Sequence, residues 1–173
     1  ATQSQLQWVV DAYTVAFAGL LLFTGAVGDR YGRRGTLLVG LGLFGTAALI
    51  AVFVNDPNAL IALRALMGVG AAFTMPTTLS IITTNFPEER RGHAVGMWVG
   101  MAGGGAVIGL FGSALLLTWF AWNSFFVLNV ALAVTAFAGA LALREDGMRK
   151  SAPPLDAVSG LLSLIGVTGI VLG

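Results

Sequence analysis

Two ionisable side chains, Asp11 and Arg64, lie inside long apolar segments of the sequence. A charge at the centre of a membrane-spanning helix costs at least ~2.5 kcal/mol, so a functional role is the first hypothesis. Asp11 comes five residues after Leu6, and Arg64 five residues after Ala59, where the two apolar segments begin. With a rise of about 1.5 Å per residue, both lie roughly 7 to 8 Å below the membrane surface. Two opposite charges at equal depth could form an ion pair or share a water-filled cavity.

Each charge also has a simpler explanation, in which the side chain reaches the headgroups at the nearer membrane surface. The long stem of Arg64 makes this explanation as good as the functional one. The side chain of Asp11 is too short to reach the surface easily. This favours an inward-facing, functional carboxylate at Asp11.

A short charged turn separates the first apolar segment from the second. Residues 25–34 (GAVGDRYGRR) hold four charged residues and three glycines. The simpler role of these arginines is to hold the turn on the cytoplasmic side of the membrane. The other role is a switch that locks and unlocks a moving bundle of helices. The candidate switch residues are Gly25, Asp29, Arg30, Gly32, Arg33 and Arg34.

The composition is that of an integral membrane protein. Of the 173 residues, 57% are hydrophobic and 10% are charged, whereas about 25% of the residues of a soluble domain are charged. The net charge of +1 gives no reason to expect a nucleic-acid partner. Without cysteine and with one histidine, His93, the chain offers no cysteine-ligated or multi-histidine metal site. No catalytic triad, phosphate-binding loop or catalytic carboxylate pair is present, so we predict no catalytic residue and no enzyme.

Five apolar segments are long enough to cross the hydrocarbon core, which takes about 20 residues of helix. All must be helical, because an open strand would leave backbone groups unpaired in lipid. The sequence therefore predicts an all-α membrane protein with a transmembrane helix bundle in residues 1–143. A cytoplasmic loop follows in residues 144–154, and a further span starts in residues 155–173. The predicted spans of the bundle are 6–27, 36–54, 59–84, 94–118 and 125–143.

The cations of the loops all fall on one side of this bundle. Eight lysines and arginines lie in the loops after the first, third and fifth spans, and none lies in the other two loops. Because cytoplasmic loops carry such an excess, the chain begins on the outer side. No translocated domain explains this start, so we expect a further span upstream and a chain that is a fragment. Tryptophans mark the opposite boundary of the membrane, namely Trp8, Trp119 and Trp122.

The third and fourth spans leave two questions open. Pro76 predicts a kink in the third span, and the hydroxyl residues after it either line a cavity or bond back to their own helix. The fourth span holds seven glycines, which permit tight packing, bending of the helix, or both. The hydroxyl residues are Thr77, Thr78, Ser80, Thr83 and Thr84, and the glycines are Gly96, Gly100, Gly103, Gly104, Gly105, Gly109 and Gly112.

Three segments carry a resemblance to a known family. The turn at 25–34 is similar to the pattern G-x-L-a-D-R-x-G-R-K/R of the major facilitator superfamily, with Val27 and Gly28 in place of leucine and alanine. Segment 60–72 (LIALRALMGVGAA) resembles the family's fourth-helix motif, in which the arginine is implicated in proton coupling. Segment 8–13 (WVVDAY) resembles the second helix of QacA-type multidrug exporters, in which an acidic residue is tied to recognition of cationic drugs. By these motifs the chain is identified as a member of the fourteen-span drug:proton antiporters.

One motif departs from the family pattern. The antiporter motif of helix five, g-x-x-x-G-P-x-x-G-G, aligns with the segment that begins at Gly105. Gly109 and Ser113 keep small residues at their positions, but Leu110 replaces the proline. This departure favours another coupling mode, such as uptake by a symporter.

The resemblance implies a partial N-terminal bundle of a major facilitator fold. It implies a secondary transporter of the bacterial plasma membrane that exports a cationic, amphiphilic small molecule by alternating access. The proton gradient would drive transport without a cofactor, and membrane lipid and the remaining half of the transporter would be the partners. In this interpretation Asp11 binds the cation or the proton, Arg64 biases that binding, and the turn at 25–34 is the switch.

Two alternatives to proton-coupled export remain open. One is an uptake symporter of the same family. The other is a truncated, non-transporting membrane protein, because five spans cannot form a site that lies between the two halves of a transporter. The short loop 144–154 resembles that of the fourteen-span form, since twelve-span relatives usually carry a longer one.

Overall fold

The described part of the chain is a bundle of α-helices. The computed structural model describes residues 2–143 and the isolated residues Gly166 and Gly169. Residues 2–143 contain no strand, and each of their five helices is long and apolar enough to cross a membrane. The predicted all-α transmembrane bundle is therefore confirmed, whereas the predicted loop 144–154 lies outside the described residues, as does nearly all of the sixth span. The helices are α1 (Gln3–Tyr31), α2 (Arg33–Phe53), α3 (Pro57–Asn85), α4 (Glu88–Trp119) and α5 (Ser124–Leu141).

Helices α1 and α3 begin before the apolar segments of the sequence, at polar residues that cap their N-terminal ends. Thr2 and Gln5 form a capping box at the start of α1, in which the Thr2 hydroxyl accepts from the Gln5 N–H at 3.3 Å. At the start of α3, the Asp56 carboxylate accepts from the Ala59 N–H at 2.8 Å. Helices α1 and α3 have 29 residues each, so both are about 43 Å long and exceed the hydrocarbon core of about 30 Å. Hydropathy marks only the apolar part, which is why the predicted spans of these helices are shorter.

A single glycine joins α1 to α2. Gly32 has a φ of 102°, in a region that other residues rarely adopt. Its N–H donates to the carbonyl oxygen of Gly28 at 3.2 Å, and its own carbonyl oxygen accepts from the Thr36 N–H at 3.1 Å. Gly32 thus ends one helix and begins the next, so the charged turn at 25–34 is almost entirely helical.

Helix α3 is the centre of the packing. Its most extensive contacts are with α1 and then with α2, and α2 packs in turn against α5. Glycines allow these backbones to approach closely. A Cβ atom at Gly70 would lie 2.7 Å from the carbonyl oxygen of Gly40, and one at Gly68 would strike the carbonyl oxygen of Tyr13. Glycines 68 and 70 therefore serve helix packing.

Helix α4 is packed much less than the other helices. Ala94 is its one buried residue. A Cβ atom at any of the seven glycines of its predicted span would meet no atom within 4 Å among the described residues. Tight packing of these glycines therefore does not occur within residues 2–143. The main buried cluster lies on α2, α3 and α5 and consists of Ala47, Ala48, Ala51, Met67 and Phe126.

Candidate functional site

Arg64 on α3 is held against the backbone and an aromatic ring of α1. Its Nε donates a hydrogen bond to the carbonyl oxygen of Val9 at 2.9 Å. Its guanidinium carbon lies 4.7 Å from the centre of the Tyr13 ring, which is within the range of a cation–π interaction. These contacts stabilise a positive charge inside the bundle without a carboxylate, and they tie α3 to the N-terminal half of α1.

Asp11 and Arg64 do not form an ion pair. Helices α1 and α3 are neighbours, but no salt bridge joins the two side chains. Val9 and Tyr13 lie one turn apart on the face of α1 that meets Arg64, and Asp11 lies about 200° around the helix from Val9. Asp11 is half-buried and has no hydrogen-bond partner within residues 2–143. Equal depth alone therefore does not bring the charges together, because Asp11 lies on the side of α1 away from the face that contacts Arg64.

A cavity of about 540 Å³, here called the central cavity, is lined by residues from all five described helices. Among the described residues, no ionised side chain lines it. The Tyr13 and Phe17 rings in its wall are stacked with their centroids 6.1 Å apart, and the Trp98 indole donates to the Thr78 hydroxyl at 3.4 Å. Such walls suit an aromatic or cationic molecule, because ring faces attract cations. The aromatic and methionine side chains of the wall are Tyr13, Phe17, Phe44, Met75, Trp98 and Met101.

A second cavity of about 570 Å³, here called the Arg64 cavity, lies near the N-terminal ends of α1 and α3. Arg64 and Ser113 both line it, together with aromatic side chains at the start of α5. The Ser113 hydroxyl donates to the carbonyl oxygen of Gly109 at 2.5 Å, whereas Gly105 faces open space within the described residues. The structure thus places one residue of the helix-five motif in the wall of the same cavity as Arg64. Asp11 lines neither cavity, so the two charges do not share one here.

A polar cluster centred on Asp29 joins the ends of α1, α2 and α3. One oxygen of Asp29, Oδ1, accepts from Arg33 Nη2 and from the Ser80 hydroxyl, each at 3.2 Å. Arg33 Nη1 also donates to the Thr84 hydroxyl at 2.7 Å. The Asp29 side chain is 45% exposed, so solvent screens its ion pair with Arg33, and the pair alone contributes little to stability. The hydroxyl groups of α3 therefore take part in holding the two charged side chains.

Among the hydroxyl residues after Pro76, the structure shows both of the predicted roles, lining a cavity and bonding back to their own helix. It also shows a third role, contact with the charged turn. Thr78 lines the central cavity and bonds back to the carbonyl oxygen of Met75 at 2.8 Å. Thr84 bonds back to the carbonyl oxygen of Ser80 at 2.6 Å. Ser80 and Thr84 also bind the charged turn, a use that the sequence pattern does not indicate.

The other two arginines of the turn have separate contacts. Arg34 Nε and Nη2 donate to the carbonyl oxygens of Ala140 and Leu141, at 3.4 and 2.9 Å, at the end of α5. Arg30 is exposed, and its guanidinium carbon lies 5.9 Å from the centre of the Tyr31 ring. The three arginines of the predicted switch therefore contact different parts of the structure. Arg33 contacts Asp29, Arg34 contacts the end of α5, and Arg30 contacts the ring of Tyr31.

The aromatic wall of the central cavity and one buried hydroxyl were not predicted from the sequence. Tyr13 and Phe17 are four residues apart, which places both rings on one face of α1. This spacing was a usable signal, but aromatic residues in an apolar span also face lipid or fill the core. Thr24 is fully buried, and its hydroxyl donates to the carbonyl oxygen of Ala72 on α3 at 2.6 Å. No pattern in the sequence pairs these two positions.

One family model matches almost the entire chain. It describes the Major Facilitator Superfamily and covers residues 1–172. The chain belongs to the major facilitator superfamily. With five membrane-length helices in its described part, this major facilitator chain is a multi-pass membrane protein. The family resemblance found in the sequence is thereby confirmed.

Several relatives carry the names of resistance or export proteins. The puromycin resistance protein of Streptomyces alboniger is 40% identical over 166 residues, which are 95% of this chain and 33% of that protein. The methyl viologen resistance protein of Salmonella typhimurium is 36% identical over 174 residues, 99% of this chain and 35% of that protein. The cephamycin export protein of Amycolatopsis lactamdurans is 36% identical over 173 residues, 98% and 36% of the two chains. This major facilitator chain thus spans about a third of the length of the curated relatives it matches. Family and relatives point to a transporter and not to an enzyme, as the sequence predicts.

Proposed function

We propose that this major facilitator chain is part of a proton-coupled secondary transporter that exports drug-like, cationic small molecules by alternating access. The observation that carries the proposal is the central cavity of about 540 Å³ between five membrane-length helices. Its volume falls in the range of about 300–1,000 Å³ that is typical of small-molecule sites. The relatives named for resistance to puromycin and methyl viologen and for export of cephamycin support the same activity.

Inside the central cavity, ring faces would bind the cation in place of a carboxylate. Tyr13, Phe17 and Trp98 bring such faces to the wall. Met75 and Met101 add flexible, polarisable side chains that adapt to differently shaped molecules. A wall of this kind suits a range of amphiphilic cations better than one particular substrate.

Asp11 and Arg64 would couple this transport to protons. Asp11 has no partner within residues 2–143 and lies on the side of α1 away from Arg64, so it is available to a proton or a cation. Arg64 is fixed by Val9 and Tyr13 at the same level of α1. Its positive charge opposes the binding of a second cation at that level, which would favour exchange over simultaneous binding.

The Asp29 cluster would be the conformational switch of the cycle. In the structure it links α1, α2 and α3 through Arg33, Ser80 and Thr84. In a second state, Asp29 would meet a basic group or a helix N-terminus of the remaining half of the transporter. The charge of the turn also supports an orientation in the bacterial plasma membrane, with the start of α1 outside and the arginines of residues 30–34 facing the cytoplasm.

Flux measurements on the full-length protein test this function. The protein is reconstituted into lipid vesicles with an imposed pH difference, and the movement of tetraphenylphosphonium is followed. We expect it to move opposite to the protons and to stop when a protonophore removes the gradient. Trp98→Leu, which removes a ring from the cavity, should slow transport, whereas Trp119→Leu, a 79% exposed residue outside it, should not. Transport that persists without a proton gradient would exclude proton coupling.

An uptake symporter is the second candidate. The observation that favours it is Leu110, which stands where the antiporter motif has proline. The same vesicles distinguish the two, since a symporter moves its substrate in the direction of proton flow.

A further inference from the structure

One carbonyl group in the middle of α3 has lost its partner within the helix. Pro76 has no backbone N–H, so the carbonyl oxygen of Ala72, four residues earlier, receives no hydrogen bond from it. Ala72 is fully buried. It lies roughly 22 Å along a helix of about 43 Å, within the predicted span 59–84. An unsatisfied carbonyl there is costly, so another donor is needed.

Thr24 on α1 provides that donor. Its hydroxyl lies 2.6 Å from the Ala72 carbonyl oxygen, and the side chain is fully buried. The next residue, Gly25, packs against the proline itself, since a Cβ atom there would lie 3.5 Å from the Pro76 Cβ. A hydroxyl from a neighbouring helix thus takes the place of the missing N–H.

The Thr24 hydroxyl has one proton and three carbonyl oxygens within reach. The oxygens of Leu20 and Leu21, on its own helix, lie at 3.0 and 3.1 Å, and that of Ala72 is the nearest at 2.6 Å. If α1 moved away from α3, Thr24 would bond back to its own helix at no loss. The Ala72 carbonyl would then lose the Thr24 donor, and Pro76 supplies no N–H in its place. Separating the two helices therefore leaves Thr24 on α1 with a hydrogen-bond acceptor, whereas α3 loses a hydrogen bond next to its proline.

The turn of α3 around Pro76 forms part of the central cavity, because Thr74, Met75 and Thr78 all line it. We propose that Thr24 is a positioning residue for the central cavity. Its hydroxyl replaces the N–H that Pro76 lacks and so fixes the turn that carries these three side chains. The hydrogen-bond part of this inference is independent of the proposed transport, whereas the ligand part rests on it.

A double-mutant cycle on the full-length protein tests the hydrogen-bond part. Thr24→Val keeps the shape of the side chain but removes the hydroxyl, and Pro76→Ala restores the N–H for Ala72. We expect Thr24→Val to lower the midpoint of thermal unfolding by several degrees in the wild-type background and much less in the Pro76→Ala background. Thr24→Ser, which keeps the hydroxyl, should lie close to wild type. An equal loss in both backgrounds would contradict the proposal.

Thr36→Val is the matched control for the cycle. Thr36 is also buried, but its hydroxyl bonds back to the carbonyl oxygen of Gly32 at 2.8 Å, on its own side of the interface with α3. Its effect on thermal unfolding should be the same with and without the proline. If the effect of Thr36→Val depended on Pro76 as strongly as that of Thr24→Val, the cycle would report a general loosening of α3 and not the loss of one hydrogen bond.

Binding of tetraphenylphosphonium tests the positioning part. Thr24→Val should weaken binding about tenfold, as expected for the loss of one buried hydrogen bond, and Thr24→Ser should restore it. Unchanged binding in Thr24→Val, together with a positive thermal cycle, would limit Thr24 to a structural role and overturn the positioning proposal. Wild-type protein that binds no such cation would contradict the proposed function, while the thermal cycle would still decide whether Thr24 and Pro76 are coupled.

Discussion

Arg34 on α2 donates a hydrogen bond from Nη2 to the carbonyl oxygen of Leu141 at the end of α5, over a distance of 2.9 Å. The last carbonyl groups of a helix lack partners within it and carry a partial negative charge, which a guanidinium neutralises. Arg34 therefore links α2 to α5 as well as marking one side of the membrane.

Replacement of Arg34 should therefore destabilise the bundle. We expect Arg34→Gln to lower the free energy of unfolding by about 1–2 kcal/mol, the cost of a charged hydrogen bond to the backbone. Arg30→Gln is the matched control, because Arg30 is exposed and, within the described part of the chain, contacts the ring of Tyr31 at 5.9 Å and no partner on α5. Denaturation of both variants measures the difference, and equal losses would mean that the contact with α5 adds nothing.

Asp29→Asn should change the balance between inward-open and outward-open states. The substitution removes the charge that Arg33 and the Ser80 hydroxyl both contact at 3.2 Å. Cysteine-accessibility labelling of the full-length protein measures this balance. Glu88→Gln, an exposed carboxylate at the start of α4, should leave it unchanged. If Asp29→Asn also leaves it unchanged, the turn at 25–34 is a topology signal alone.

Asp11→Asn should reduce the export of divalent cations by about tenfold or more, because a second positive charge in a low dielectric needs a carboxylate. Monovalent aromatic cations should be affected less, since no ionised side chain from residues 2–143 lines the central cavity. Asp11→Glu keeps the charge and should retain export of both classes. Wild-type rates for divalent cations in Asp11→Asn would show that Asp11 takes no part in their export.

Arg64→Lys should not preserve the function of Arg64. Lysine has no planar guanidinium to hold both the Val9 carbonyl oxygen at 2.9 Å and the Tyr13 ring at 4.7 Å. We expect a loss of about 1–2 kcal/mol in the free energy of unfolding. Arg90→Lys, an exposed change in α4, should have an effect within about 0.5 kcal/mol. Comparable stability of the two variants would speak against a specific guanidinium contact.

Gly32→Ala should destabilise the junction of α1 and α2. The φ of 102° at Gly32 strains any residue with a Cβ atom, which costs about 1–3 kcal/mol. Gly35→Ala, three residues further along in α2, meets no atom within 4 Å and should stabilise the helix by about 0.5–1 kcal/mol. Thermal unfolding of the two variants should therefore shift in opposite directions.

The membrane helices were predictable from the sequence because hydropathy is a property of consecutive residues. Segment 59–84 lies within α3, and the helix extends beyond it at both ends because polar residues continue the hydrogen-bonding pattern. That Arg64 lies level with the part of α1 that holds Asp11 also followed from counting residues. Their lack of pairing did not, because it depends on which face of α1 meets α3.

By itself, the sequence determined that the chain is a bundle of membrane-spanning helices with the motifs of the major facilitator superfamily, since hydropathy and motif spacing act along the chain. Only the tertiary structure decided the partners: Arg64 with Val9, Ser80 with Asp29, and Thr24 with the carbonyl group that Pro76 leaves without a donor. These pairs lie 48 to 55 residues apart. They meet because glycines allow α1 and α3 to approach closely, and the relative rotation of two packed helices then selects which side chains touch.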